Sequence, residues 1–182
     1  MPAKKQITKQ MILEAAFSML KSGGINAVNV KALAKELNCS TQPIYLSFAS
    51  MDALRDKLSS LAVGEFLQAI ADKNGEINLY GIKYVEFAKK EKNLFRFLFM
   101  RPNAFSELQD ALAPIMRDAI AKLKGKYKID AEEAHRLHDQ LWMHAHGVAS
   151  MVATDFCVWD LDKAADMLAE CHALLVKKYE AL

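Results

Sequence analysis

The chain is short of the residues that interrupt or staple a backbone: 182 residues hold only four prolines, seven glycines and three cysteines. The cysteines (Cys39, Cys157 and Cys171) are odd in number and scattered, which fits a reducing cytoplasm better than a disulfide framework. No apolar run approaches the length of a membrane span. The first ten residues, MPAKKQITKQ, lack the apolar stretch of a secretory signal. Alternating Val/Ile/Thr-rich runs bounded by turns are also missing, and with them the pattern of a β-sheet protein. There is no Gly-rich phosphate loop and no serine set in a nucleophile elbow, so no catalytic arrangement stands out. Internal repeats and low-complexity tracts are absent.

What is present is apolar and helix-forming. Hydrophobic residues make up 52% of the chain, enough for a core and too many for a disordered chain. Ala, Leu, Lys, Glu and Met dominate, and the fold reads as all-α. Charge is polarised under a net value of only +2. Residues 1–60 carry eight basic and four acidic residues, and the rest of the chain 16 basic and 18 acidic. A basic N-terminal third suits phosphate contacts and the counterion release that drives binding to DNA.

The spacing of apolar residues predicts the helices. The first runs from about Thr8 to Lys21, with Ile12, Ala15, Ala16, Met19 and Leu20 as its stripe and Gly23-Gly24 as its end. Residues 29–48, NVKALAKELNCSTQPIYLSF, read as two short helices and a tight turn. Leu33, Ala34 and Leu37 face inward from the first, Asn38-Cys39 breaks it, and Ser40 is placed to N-cap the second. Pro43 suits a first turn. Ile44 and Phe48 face inward, which leaves Thr41, Gln42, Tyr45 and Ser47 to face out. That is the layout of a helix-turn-helix, although many small helical proteins pair short helices without binding DNA.

Ser50 is expected to cap a fourth helix carrying Leu54, Leu58, Leu61, Phe66 and Leu67 inward to about Ala71. Asp72-Lys73-Asn74-Gly75 is the next breaker. A helix over about 77–90 follows, then an aromatic-rich segment opened by Asn93 and stopped by Arg101-Pro102-Asn103. The segment 106–124 contains Pro114, expected to break or kink it, and 125–128 reads as a loop. Asp130 looks like the N-cap of a long helix to about Asp155, and a last helix runs from about 160–162 to 178.

Three stretches in order, ILEAAFSMLKSGG, NVKALAKELNCS and PIYLSFASMDAL, resemble the DNA-binding domain of the TetR family of transcriptional regulators. The recognition helix ends in Tyr45-Leu46-Ser47-Phe48, matching the family's Tyr-x-x-Phe. LWMHAHGVASMV resembles the Trp–His–Gly signature of one group of TetR-family C-terminal domains, here Trp142, His146 and Gly147. The resemblance divides the chain into a helix-turn-helix domain over residues 1–50 and a helical ligand-binding and dimerisation domain over 51–182. It implies a homodimer that reads a palindromic DNA operator, represses transcription, and is released by a small-molecule effector. No cofactor, metal or membrane partner is implied.

Three positions depart from the family pattern: Gln42 where a small residue is common, Ser47 where His often precedes the Phe, and Met51 where a phosphate-binding Lys is frequent. The lost contact would pass to Lys57 or to the arm bearing Lys4 and Lys5. The implied DNA-contacting set is then Lys4, Lys5, Asn29, Lys31, Ser40, Thr41, Gln42, Tyr45, Ser47 and Lys57. Within it Thr41, Gln42 and Ser47 are the base-edge candidates, and Gln42 can offer a donor and an acceptor to adenine. Tyr45 has two readings, a phosphate contact through its hydroxyl or a ring packed on the first helix. Asn29 and Lys31 are placed at phosphates.

The implied effector pocket draws on Phe66, Tyr84, Phe87, Phe105, Met116, Trp142 and Phe156, with Arg101 and His146 as polar anchors. The plain alternative is packed core, with His146 bonded to a carbonyl. The implied dimer interface uses Leu137, Leu141, Gly147, Val148 and Val152 on one helix and Leu168 and Leu175 on the last. The same stripes would equally fill the protomer's own core. Two other functions stay open: a degenerate regulator surviving as a ligand-binding or adaptor protein, and a helical metal-binding enzyme built on Glu132-x-x-His135 with His138, His144 and His146 nearby. The latter lacks the second Glu-x-x-His of a carboxylate-bridged bundle.

Overall fold

The computed structural model describes residues 6–71 and 77–180. These residues form helices joined by short turns, with no strand among them: α1 (Lys9–Gly23), α2 (Val30–Glu36), α3 (Gln42–Ser47), α4 (Met51–Ile70), α5 (Ile77–Lys90), α6 (Lys92–Phe99), α7 (Ala104–Tyr127), α8 (Ala131–Ala153) and α9 (Leu161–Glu180). The all-α expectation holds. The expected arm lysines, Lys4 and Lys5, and the breaker at 72–75 lie outside the described residues.

Side-chain caps set the helix starts the sequence marks. Thr8 accepts from the Met11 amide at 3.2 Å, Asn29 from Ala32 at 3.0 Å, Ser50 from Ala53 at 3.0 Å and Asp130 from Glu133 at 2.8 Å. Each satisfies one orphan N–H of a helix start. Ser40 does not cap: Thr41 occupies the N-cap position of α3 and makes no side-chain cap bond. Pro43 sits in the first turn instead, where its fixed φ supports the helix start. Gly24 closes α1 at φ 74°, a conformation that side chains disfavour. Asn38 takes φ 49° in the α2–α3 turn, a region asparagine tolerates better than most residues.

Two readings of the middle of the chain are corrected. α7 runs unbroken through Pro114, and the expected loop at 125–128 is its last turn, closed by Lys128 at φ 53°. Proline cannot pair with the carbonyl of Asp110, but both residues are exposed, so water can take that acceptor. In α4 the buried stripe is Leu54, Leu58, Ala62, Phe66 and Ile70, while Leu61 is exposed. The buried residues recur every four positions, so the stripe winds slowly around the helix, and Leu61, one residue before Ala62, falls about 100° off it at that level.

The core has two parts. A large cluster joins α1–α6 to the ends of α8 and α9, with Phe95, Leu20, Leu33, Leu54, Leu94 and Leu98 wholly buried. A smaller, distal cluster holds Ile120, Leu123, Ile129, Ala134, Leu137, Val176 and Tyr179. α4 packs against both α1 and α5, so it belongs mechanically to both ends of the molecule. Polar bonds close the corner between α8 and α9. The Arg96 guanidinium donates to the Ala153 carbonyl, with Nε at 2.7 Å, and Lys89 Nζ donates to the Trp159 carbonyl at 3.0 Å.

Candidate functional site

α3 is held by two buried anchors, Ile44 and Phe48. They are four residues apart, so they fix one helix face inward and turn the opposite face to solvent. Gln42 is exposed, Tyr45 is 63% exposed, and Thr41 and Ser47 are half-buried. The residue that sequence reasoning left out is Leu46, which is 80% exposed. Its signal was an apolar residue off the Ile44–Phe48 phase. Four residues after Gln42, it extends the same exposed strip.

Around α3, Lys9, Lys31, Lys35 and Lys57 are exposed. Lys9 Nζ stands 5.0 Å from the Phe48 ring centroid. Asn29 is also exposed, but its side chain is used locally: Oδ1 caps α2 and Nδ2 donates to the Ala27 carbonyl at 3.4 Å. Ser40 lies exposed in the turn before α3. Met51, in the place of an expected lysine, is half-buried and packed on the main core.

The second candidate site is a cavity of about 480 Å³ between the two core clusters. α4 contributes Phe66 and Ile70, α5 Gly81 and Tyr84, and α6 Phe99. α7 supplies Ala104, Leu108, Leu112, Ile115, Met116, Ala119 and Leu123. α8 supplies His138, Asp139, Leu141, Trp142, Met143, Ala145 and His146. The structure thus brings Phe66, Tyr84, Met116, Trp142 and His146 together around one space.

Three of the expected lining residues lie elsewhere. Phe87 is buried behind Phe66, with ring centroids 5.2 Å apart. Arg101 is tied to its own corner, with Nη1 2.6 Å from Glu107 and Nε donating to the Phe97 carbonyl at 2.9 Å. Phe156 is 79% exposed in the α8–α9 turn. The side chain of Phe105 lies outside the described residues.

The polar heart of the cavity is one pair. Tyr84 Oη lies 2.9 Å from His146 Nδ1. Burial raises the Tyr84 phenol above its ordinary value and lowers the His146 imidazole below its own, so near neutral pH both are uncharged. Around them the rings pack edge to face: Phe66 sits 4.9 Å from Phe99 and 5.7 Å from Tyr84, and Tyr84 lies 5.3 Å from Phe95. Trp142 stacks on His146 at 5.3 Å with 29° between planes. Asp139 is the one formally charged residue among the described lining residues, and its carboxylate is well exposed beside His138.

The expected interface stripes divide. Leu137, Val148 and Val152 are buried inside the single chain, so they pack the protomer's own core. Leu141 lines the cavity, and Leu175 packs on the distal cluster. Leu168 reaches α5, with Cδ1 3.5 Å from where a Cβ on Gly81 would stand. Gly147 is open: a Cβ there would meet nothing within 4 Å. It lies between exposed Met143 and Met151, four residues away on either side. On α9 the exposed residues include Ala169, Ala173 and Leu174, the last 68% exposed. Sequence periodicity could not tell these outward stripes from the inward ones, because both recur at helical spacing.

Glu132 pairs with Arg136 at 2.9 Å, and His135 is exposed. His144 Nε2 faces the Met167 carbonyl at 3.2 Å. Among the described residues no three His, Cys, Asp or Glu side chains converge as a metal site, and no helix is long and apolar enough to cross a membrane.

Comparison with known proteins places this geometry. Residues 12–58 match the family model described as bacterial regulatory proteins, tetR family. The chain is 22% identical over 160 residues to YobS of Bacillus subtilis (strain 168), described as an uncharacterized HTH-type transcriptional regulator, covering 82% of this chain and 81% of that one. A transcriptional regulator from Rhodococcus sp. Rha1 superposes with a TM-score of 0.62 at 13% identity, covering 94% of this chain and 97% of that one. A TetR variant from Acinetobacter baumannii AYE, in complex with minocycline, superposes with a TM-score of 0.57 at 15% identity, covering 97% and 98%.

Proposed function

We propose that this chain, a TetR-family transcriptional regulator by its N-terminal domain and its fold, acts in the cytoplasm as a homodimeric repressor of a palindromic operator. In this reading a small molecule in the C-terminal cavity releases it from DNA. The observation that carries the reading is the course of α4. Ser50 caps it two residues after Phe48 ends the reading helix, and Phe66 and Ile70 near its other end line the cavity. From Met51 to Phe66 is roughly 22 Å at 1.5 Å per residue, so one rigid element spans both sites. A ligand that displaces Phe66 tilts the support of α3. Operator half-sites are one helical turn apart, about 34–36 Å, and a small tilt in each protomer costs affinity. The ligand acts only as far as it binds the released state better than the DNA-bound state.

In the dimer, Met143, Gly147 and Met151 of α8 and Ala169, Ala173 and Leu174 of α9 meet their copies. Small residues at 147, 169 and 173 admit close helix approach. On DNA, Gln42 reads a base edge, Tyr45 holds a phosphate through its hydroxyl, and Lys31 and Lys57 supply sequence-independent contacts. Selection of bound duplexes from random sequence tests the whole reading: recovery of a palindrome supports it. Recovery of no preferred sequence favours the adaptor alternative. In titrations on the selected site, Gln42→Ala is expected to narrow the gap between operator and random DNA. Lys31→Ala should weaken both alike and reduce the salt slope by about one.

A further inference from the structure

We infer that the cavity is built for an uncharged aromatic or alicyclic molecule whose single polar group, a hydroxyl or carbonyl, bonds the free edge of His146. The inference deepens the effector reading above and rests on it. Its first support is charge. No lysine or arginine is among the described lining residues, and the central pair of Tyr84 and His146 is neutral. A carboxylate or phosphate buried there would leave water without a counter-charge, which interiors penalise heavily. Asp139 at the exposed edge adds repulsion for any anion that approaches.

The second support is the hydrogen bond itself. Nδ1 of His146 is occupied by the Tyr84 hydroxyl, and its Nε2 makes no hydrogen bond among the described residues. If the phenol donates to Nδ1, the ring carries its proton on Nε2 and presents a donor. If the bond reverses, Nε2 becomes an acceptor. The pair therefore serves either a carbonyl or a hydroxyl without any charge being formed. The third support is shape. Trp142, Phe66 and Phe99 offer ring faces and edges, and the α7 wall is aliphatic. Flat or compact apolar bodies gain contact on both sides.

The test uses the full-length chain and three probes of one size: biphenyl, 4-hydroxybiphenyl and biphenyl-4-carboxylate, titrated against tryptophan fluorescence and by calorimetry at neutral pH. 4-Hydroxybiphenyl is expected to bind about tenfold or more tighter than the carboxylate. His146→Phe should lose about fivefold to tenfold affinity for 4-hydroxybiphenyl and none for biphenyl. Tyr84→Phe, which keeps the ring packing, should likewise shrink the advantage of 4-hydroxybiphenyl over biphenyl. A carboxylate that binds as tightly as the phenol overturns the inference, as does a wild-type chain that saturates with none of the three. Equal losses for phenol and biphenyl in both variants also overturn it. Selection of DNA on the same preparation separates the two readings. A palindrome without probe binding removes only the ligand class. Probe binding without any selected DNA leaves the ligand class standing and removes the regulator.

Discussion

Lys21 of α1 reaches Glu91, the residue between α5 and α6, at 3.1 Å, and so ties the helix-turn-helix end of the chain to its helical body. The same ammonium group pairs with Glu65 of α4, and Asn93 Nδ2 donates to the Lys21 carbonyl at 2.8 Å. The hydrogen bond to Glu65 is the main reason that the Lys21 pKa is raised, against an opposing effect of burial, with Glu91 adding to it. This three-way clasp lies beside the path of α4, where the two ends of the molecule must move together.

Lys21→Met is expected to lower the melting temperature by about 1–3 °C, because all three side chains are about a third exposed and solvent screens the pairs. The difference from wild type should shrink in roughly 0.5 M salt, where the Debye length falls to a few ångströms. Thermal melts at two salt concentrations measure it. A gap that does not respond to salt would mean that packing of the lysine stem, and not charge, carries the effect.

Leu46 is expected to touch a thymine methyl, since an apolar side chain projecting from a reading helix gains only from the apolar part of a base edge. Replacing each contacted thymine of the selected operator by uracil removes that methyl. Wild type should then bind about threefold to fivefold more weakly, the worth of one buried methyl group. Leu46→Ala should bind both duplexes with equal, lower affinity. If Leu46→Ala still distinguishes thymine from uracil, the contact belongs to another residue.

Leu174→Glu and Met143→Glu put charges on the exposed stripes of α9 and α8. Neither belongs to the two core clusters, although Met143 also borders the cavity, so helicity and folding should survive. Sedimentation at micromolar concentration is expected to show dimers for wild type and monomers for both variants, with loss of binding to the selected DNA. Dimers that persist in both variants would move the interface to another face.

His146 is held neutral in the fold by burial, with a pKa below that of the unfolded chain. The unfolded state therefore takes up its proton first as pH falls. Stability from this group is complete above the ordinary imidazole value of about 6.5 and declines below it, until the folded value is passed. Wild type should lose more melting temperature than His146→Gln between pH 7.5 and pH 5.5. Parallel losses in the two proteins would place the pH dependence in other groups.

The sequence was most legible where one residue type has one local use. Ser50 and Asp130 announce helix starts because an oxygen on a short side chain is what an orphan N–H needs, and Thr8 and Asn29, read as a helix bound and a phosphate contact, turn out to cap by the same chemistry. Ile44 and Phe48 announce the orientation of α3 because two apolar residues one turn apart define a face. Ser40 misled because it stands one residue too early, and Pro43 already supports that helix start. Pro114 misled because a proline on an exposed face leaves its orphan carbonyl to water.

Which stripe does what was not legible. Leu137, Val148 and Val152 share the periodicity of any interface helix, yet they are interior to one chain. Met143 and Met151 read as ordinary helix and stand exposed, on either side of Gly147, which the sequence had marked for the interface. The aromatic set behaved alike: Phe66, Tyr84 and Trp142 meet at one cavity, whereas Phe87 packs behind it and Phe156 points into solvent. By itself, then, the sequence determined the helical class, most of the capped helix starts, the outward face of α3 and the family of the N-terminal domain, because these depend on chemistry within a few residues. Only the tertiary structure decided which outward faces remain uncovered, where the two cores leave a space, and that Tyr84 meets His146 across 62 positions of chain. Those follow from how distant helices pack, and helical periodicity carries no record of that.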